Sequence, residues 1–335
     1  MKPVIFGTSG LALTADERAF FREADPAGYI LFGRNIENRK QVRTLTDSLR
    51  DLHGRDDLPI LIDQEGGRVA RMTAPEWPKF PTGEVFDHVY AASPVTAMQA
   101  ARLNAQAIAE ILREVGITVN CLPLLDVRQA ETVAAIGDRA LGSDPMQVAA
   151  LGRAIIDGQR RGGVVSVMKH MPGHGRAVVD SHHELPRVTA SAVELECDLA
   201  PFATLKDCVM GMTAHIVYTA WDSERCASLS PVVISDIIRG RIGFDGLLMS
   251  DDLDMKALAG DVPSRARDVV AAGCDLALNC WGRMDEMVGI ANLLGDISEL
   301  SRARLDRAMD SITPPETANL FALIDQRDAL IAAAA

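Results

Sequence analysis

The chain has 335 residues, 48% of them hydrophobic and 24% charged, with a net charge of −12. That composition suits a globular α/β protein with a sizeable core. The acidic balance argues against nucleic acid as a partner, because phosphate binding wants a basic face.

No apolar run approaches the roughly 18 residues needed to cross a membrane, and the N-terminal apolar stretch is too short for a signal-peptide core. Cys121, Cys197, Cys208, Cys226, Cys274 and Cys280 contain no Cys-x-x-Cys pair and mostly lie in apolar runs. Free thiols in a reducing compartment are expected, hence a cytoplasmic protein.

Short apolar runs predict strands at 3–6, 28–32 and 59–62. A helix follows at 97–114, stopped by Gly116, then a strand at 117–120. A helix at 145–160 runs from Pro145 to the Gly162-Gly163 break, and strands follow at 164–169 and 208–215. Pro231 suits the first turn of a helix at 231–239, with Ser230 as its cap. Strands at 246–250 and 274–279 complete the set, interleaved with helices at 264–272, 284–294 and 298–311. The tail from 315 reads as helical after the Pro314-Pro315 break.

Eight apolar strands alternating with helices predict a (β/α)8 barrel of the TIM type, with a doubly wound open sheet as the rival. No composition shift or linker divides the chain, so residues 1–335 read as one catalytic barrel domain. The stretch from about 170 to 190 is too long and polar for an ordinary β-to-α connection, which marks it as a functional loop.

The chemistry-bearing residues fall just after the predicted strands: Asp63 to Arg68, Arg139, Lys169-His170, His174, His215 and Asp251-Asp252. A barrel brings such strand ends to one face. Alternation along a strand predicts that only one of Asp251 and Asp252 faces the mouth. The pattern leaves a helix N-cap and a catalytic carboxylate both open for them. Lys169 could form a Schiff base, hold a substrate hydroxyl, or make an internal salt bridge. His170 and His174 have metal-pair spacing, but Pro172 and Gly173 between them argue against the helix that such a pair needs. Asp180 lies two residues before His182, an arrangement in which a carboxylate orients an imidazole that can donate a proton.

The segments ILFGRN (30–35), IDQEGGRVAR (62–71), GDRALGSDP (137–145), KHMPGHG (169–175), DSH (180–182) and SDDLDM (250–255) resemble glycoside hydrolase family 3. More narrowly they resemble its bacterial cytoplasmic β-N-acetylglucosaminidases, the NagZ type. The matches keep the family's order from about residue 7 to 282.

The resemblance implies Asp251 as nucleophile and an Asp180–His182 acid/base dyad on a mobile loop. Asp63, Arg71, Arg139, Lys169 and His170 would hold the N-acetylglucosamine unit. It implies a retaining double displacement with no cofactor and no metal. The implied substrate is a small molecule: N-acetylglucosaminyl-1,6-anhydro-N-acetylmuramic acid, with or without peptide, in cell-wall recycling. A monomer is expected, with no nucleic-acid or membrane partner.

The rivals are a family 3 enzyme of other specificity, such as a β-glucosidase or a chito-oligosaccharide hexosaminidase, a Schiff-base lyase using Lys169, and a non-catalytic sugar binder. Two departures stand out. Met171 replaces the family's usual Phe, and His183 sits beside His182, so a shift of one residue would exchange the two.

Overall fold

Adjacent residues of a strand point to opposite faces, so a strand covered on both sides is apolar throughout. The short strands of this chain follow that rule. The structure, a computed structural model, describes residues 1–181, 184–316 and 318–334. Its barrel strands are β1 (Lys2–Gly7), β2 (Pro26–Leu31), β3 (Ile60–Ile62), β4 (Val119–Asn120), β5 (Val165–Met171), β7 (Met210–Thr213), β9 (Leu247–Asp252) and β10 (Leu276–Asn279). All pair in parallel with their sequence neighbours, and β1 pairs with β10 to close the ring. This is the expected (β/α)8 barrel, with a strand at each of the eight predicted places. Two short segments, β6 (Arg187–Val188) and β8 (Val217–Tyr218), form a separate parallel pair outside it.

The alternation sorts the core into two layers. Ile5, Ile30, Leu61, Val119, Val167, Met212, Met249 and Leu278 fill the barrel interior. Their neighbours Val4, Phe6, Tyr29, Leu31, Ile60, Ile62, Leu248 and Ala277 face outward into a second core shared with the helices.

The helices are α1 (Ala15–Ala24), α2 (Arg39–His53), α3 (Gly83–Ala92), α4 (Pro94–Glu114), α5 (Pro145–Arg161), α6 (Glu196–Thr204), α7 (Val262–Ala272), α8 (Met284–Leu293), α9 (Glu299–Asp310) and α10 (Leu320–Ala334). None is long and apolar enough to cross a membrane among the described residues. Local chemistry fixes their starts. Asp144 accepts from the N–H groups of Met146 and Gln147 at 2.8 and 2.9 Å ahead of α5. The helix expected at 231–239 is a π-helix over Val233–Arg241, and Ser230 Oγ accepts from Val233 N at 3.2 Å. The helices α1, α2, α3 and α6 are additions to the expected set.

The bottom of the barrel is sealed. Leu305, Ala308 and Met309 of α9 belong to the same apolar cluster as the barrel interior. Ser301 Oγ and Arg304 Nη1 bond the Asp275 carboxylate just before β10, at 2.7 and 3.0 Å. The same carboxylate accepts from Arg239 Nη2 and Leu248 N at 2.7 and 2.8 Å.

At the top, the long connection after β5 is tied down by main-chain contacts. Tyr218 Oη donates to the Gly173 carbonyl at 2.7 Å, and a Cβ at Gly175 would collide with the main-chain carbonyl of Val127. Gly175→Ala is therefore expected to cost about 1–3 kcal/mol by overpacking. It should lower the urea midpoint without changing the slope; an unchanged midpoint would show that the two segments are not in contact.

Candidate active site

A cleft of about 350 Å³ opens at the C-terminal ends of the strands. That is the size of a pocket for a small ligand. Its floor is the top layer of the barrel core, including Ile30, Met212 and Leu278. Its polar lining gathers Asp63, Arg71, Arg139, Lys169, His170, Asp180 and Asp251. Every described residue singled out by the family resemblance is thus at one place. His182 and its neighbour His183 lie outside the described residues.

The centre of this lining is a charge cluster. The Lys169 ammonium is 3% exposed and lies 2.9 Å from Asp63 Oδ1 and 2.7 Å from Glu65 Oε1. Arg139 forks onto Glu65 at 2.8 and 2.9 Å, and Arg71 Nη2 reaches Asp63 Oδ2 at 3.2 Å. Burial disfavours the charges of Asp63, Glu65, Arg139 and Lys169, and mutual attraction outweighs it. Lys169 and Arg139 are held protonated more firmly than usual, while the carboxyls of Asp63 and Glu65 fall below the ordinary carboxylate range. The salt-bridge possibility for Lys169 is realised, within the cleft itself.

Behind His170 sits Asp126, fully buried. Its Oδ2 is 2.8 Å from His170 Nδ1, and its Oδ1 accepts from the N–H groups of His170 and His174 at 3.2 and 2.6 Å. One carboxylate thus orients the His170 ring and shapes the turn that follows. Burial pushes the His174 imidazole down to about 4, leaving it neutral near pH 7. The His170–His174 segment continues β5 into a turn, not a helix. Among the described residues, no group of three His, Cys, Asp or Glu side chains could hold a metal ion.

Asp251 and Asp252 end β9, and both line the cleft. Strict alternation does not separate them, because the chain leaves the strand at Asp252. No helix starts here; Asp252 Oδ1 caps a turn, accepting from Asp254 N at 3.2 Å and Cys280 N at 3.3 Å. The cap possibility therefore falls to Asp252, as a turn cap.

Their environments diverge. Burial raises the Asp252 carboxyl, and adjacent Asp251 adds to it. Burial also opposes ionisation of Asp251, but His170, His215, the Asp252 N–H and Lys169 outweigh it and hold its carboxyl below the usual range. His215 backs this arrangement. Its Nε2 faces the Asp252 carbonyl at 3.0 Å, so Nε2 carries the proton and Nδ1 accepts from Ser228 Oγ at 2.6 Å.

Three members of the site had no assigned role in the sequence. Glu65 lies within a recognised motif yet is the carboxylate that pairs Arg139 with Lys169. Asp126 follows an apolar run at the end of β4, which is its only local signal. Phe32 forms part of the wall, under the Arg71 guanidinium at 5.4 Å from its ring centre.

The chain is similar in sequence and fold to known proteins. The family model described as the glycosyl hydrolase family 3 N-terminal domain matches residues 8–314. A β-hexosaminidase from Chromobacterium violaceum is 42% identical over 283 residues, 83% of this chain and 78% of that one. One from Bordetella avium is 38% identical over 283 residues, 83% of this chain and 80% of that one. The crystal structure of NagZ from Neisseria gonorrhoeae with N-trifluoroacetyl-D-glucosamine superposes with a TM-score of 0.87 at 31% identity, covering 98% of each chain. A family 3 β-N-acetylglucosaminidase from Paenibacillus sp. str. FPU-7 gives 0.80 at 32% identity, over 98% of this chain and 61% of that one.

A barrel with these relatives is a glycoside hydrolase. The chain belongs to glycosyl hydrolase family 3, and within it the likeness is to β-hexosaminidases of the NagZ type.

The depressed carboxyls of Asp63, Glu65 and Asp126 contribute to stability in a pH-dependent way. Each takes up its proton more readily when unfolded, so their contribution is full above the ordinary carboxyl pKa of about 4 and is lost as pH falls through the lower folded values. Glu65→Gln should cost about 3 kcal/mol at pH 7, because it strands a buried lysine and arginine. Urea unfolding of both proteins at pH 7 and pH 3 should show the gap narrowing in acid; a constant gap would contradict the ion pairing.

Proposed function

We propose that the chain is a retaining exo-β-N-acetylglucosaminidase. It removes terminal N-acetylglucosamine from peptidoglycan fragments, N-acetylglucosaminyl-1,6-anhydro-N-acetylmuramic acid with or without peptide. The observation that carries this is the divergence of Asp251 and Asp252 at the cleft. A nucleophilic carboxylate must be ionised. Asp251 is held so by its surroundings, its Oδ1 accepting the Asp252 N–H at 2.8 Å, whereas burial raises the Asp252 carboxyl and its Oδ1 caps the turn.

In the first step an Asp251 oxygen attacks the anomeric carbon as its bond to the leaving oxygen breaks. His182, steered by Asp180, gives that oxygen its proton. The role of His182 rests on the family resemblance and on Asp180 lining the same cleft. In the second step water attacks the anomeric carbon, His182 takes the water's proton, and the Asp251 carboxylate is released. Two displacements retain the β configuration. Asp63, Arg71, Arg139, Lys169 and His170 hold the sugar through charge-assisted hydrogen bonds. Asp126 and Glu65 keep these groups in place.

A Schiff-base lyase would need Lys169 as a neutral amine. Two carboxylates within 3 Å hold it protonated, which counts against that rival. The finer specificity draws support from the NagZ structure with a glucosamine derivative and from the relatives named β-hexosaminidase. The six thiols, five of them buried, suit the cytoplasm, where such fragments would be degraded by this chain as a monomeric one-domain barrel.

The test is hydrolysis of p-nitrophenyl β-N-acetylglucosaminide beside the β-glucoside. Wild type should prefer the former, and Asp251→Ala should lose at least about a thousandfold in kcat. A preference for the glucoside would point to a family 3 β-glucosidase. Full activity of Asp251→Ala would remove the proposed nucleophile.

A further inference from the structure

One wall of the cleft continues outward through alternating cationic and aromatic side chains. Arg71 and Arg34 lie 5.4 and 5.1 Å from the centre of the Phe32 ring. Arg34 is also 5.9 Å from the Trp281 indole, and Arg283 is 5.8 Å from it. These are cation–π separations. Phe32, Arg71 and Cys280 line the cleft, so Trp281 stands one residue beyond the lining, at its rim.

Trp281 is 53% exposed. A lone exposed apolar residue is unremarkable in itself. This one sits on anchored backbone. Gly282 adopts φ +66°, and a Cβ there would meet the Thr8 carbonyl carbon at 2.8 Å and Ser9 N at 2.9 Å. Arg34 clamps the same two connections, donating from Nε to Thr8 O at 2.9 Å and from Nη2 to Cys280 O. The indole is thus held out at the mouth on a fixed support.

The two flanking cations differ. Arg283 is paired with Asp254 and with Glu286, the latter at 2.8 Å. Arg34 bonds main-chain carbonyls and meets no carboxylate at ion-pair distance among the described residues. Its charge is available to an anion arriving over the indole.

Building on the proposed activity, we propose that Trp281 and Arg34 form the binding site for the aglycone. The saccharide ring on the reducing-end side of the scissile bond stacks on the indole, and a carboxylate carried by that ring pairs with Arg34. Phe32 and Arg71 connect this site to the N-acetylglucosamine pocket, so a disaccharide lies along the wall with its glycosidic bond at Asp251.

The test compares kcat/KM for three β-N-acetylglucosaminides: the methyl glycoside, the neutral N,N′-diacetylchitobiose, and a disaccharide ending in N-acetylmuramic acid. For Trp281→Ala, both disaccharides should lose about tenfold relative to the methyl glycoside, through KM. Trp281→Phe should restore most of that loss. Arg34→Gln should lower the acidic disaccharide about tenfold relative to the neutral one. Should Arg34→Gln fold poorly, the Trp281 pair decides the question. Wild-type ratios retained in Trp281→Ala would overturn the aglycone site alone. A wild type inactive on all three glycosides would overturn the activity and the site together.

Discussion

A lysine ammonium buried between two carboxylates is the constraint from which the rest of the site follows. Lys169 comes from β5, while Asp63 and Glu65 follow β3, so the pairing spans the barrel mouth above β4. Unpaired, any one of these charges would be prohibitively costly at such depth. Together with Arg71 and Arg139 they form a set whose geometry is fixed by mutual need. That set is also what a sugar ring, dense in hydroxyls, requires: rigid charged donors and acceptors at short spacing.

The same principle separates the two adjacent aspartates. Asp252 spends its carboxylate on the main chain of the turn after β9 and on Cys280. Asp251 is surrounded by His170, His215 and Lys169, which favour its charge. His170 is in turn held by Asp126, so a buried carboxylate after β4 contributes to the state of a carboxylate on β9 through an imidazole. The site is therefore a chain of dependencies around the barrel, and the two aspartates differ through their surroundings more than through their sequence position.

The barrel was legible because its strands are apolar on both faces and so appear as short continuous runs. Boundaries were less so: the 208–215 run narrows to Met210–Thr213 once His215 leaves the ladder to bond Ser228 and Asp252. Polar residues make up most of α2 and charged residues half of α1, which hides both from a search for apolar runs. Local signals for both exist, namely the Thr14–Glu17 capping box and the Asn38 cap with Gly54 at the other end. In the site, motif order located Asp63, Lys169 and Asp251. Asp126 was invisible because its three donors lie 44 and 48 residues further on, and no local pattern encodes that meeting. Glu65 was in plain view, but its task depends on where Arg139 arrives from another loop.

With its base packed against α9, the barrel leaves the cleft to open at the C-terminal ends of its strands. On the proposed activity, the N-acetylglucosamine unit occupies the depth and the leaving fragment the threshold. Traffic then runs in a fixed sequence. The leaving fragment departs first, water enters through the vacated space, and the freed sugar leaves last. Under that activity, released N-acetylglucosamine would compete directly with incoming substrate for the innermost position, and its accumulation would act as a brake that needs no second site.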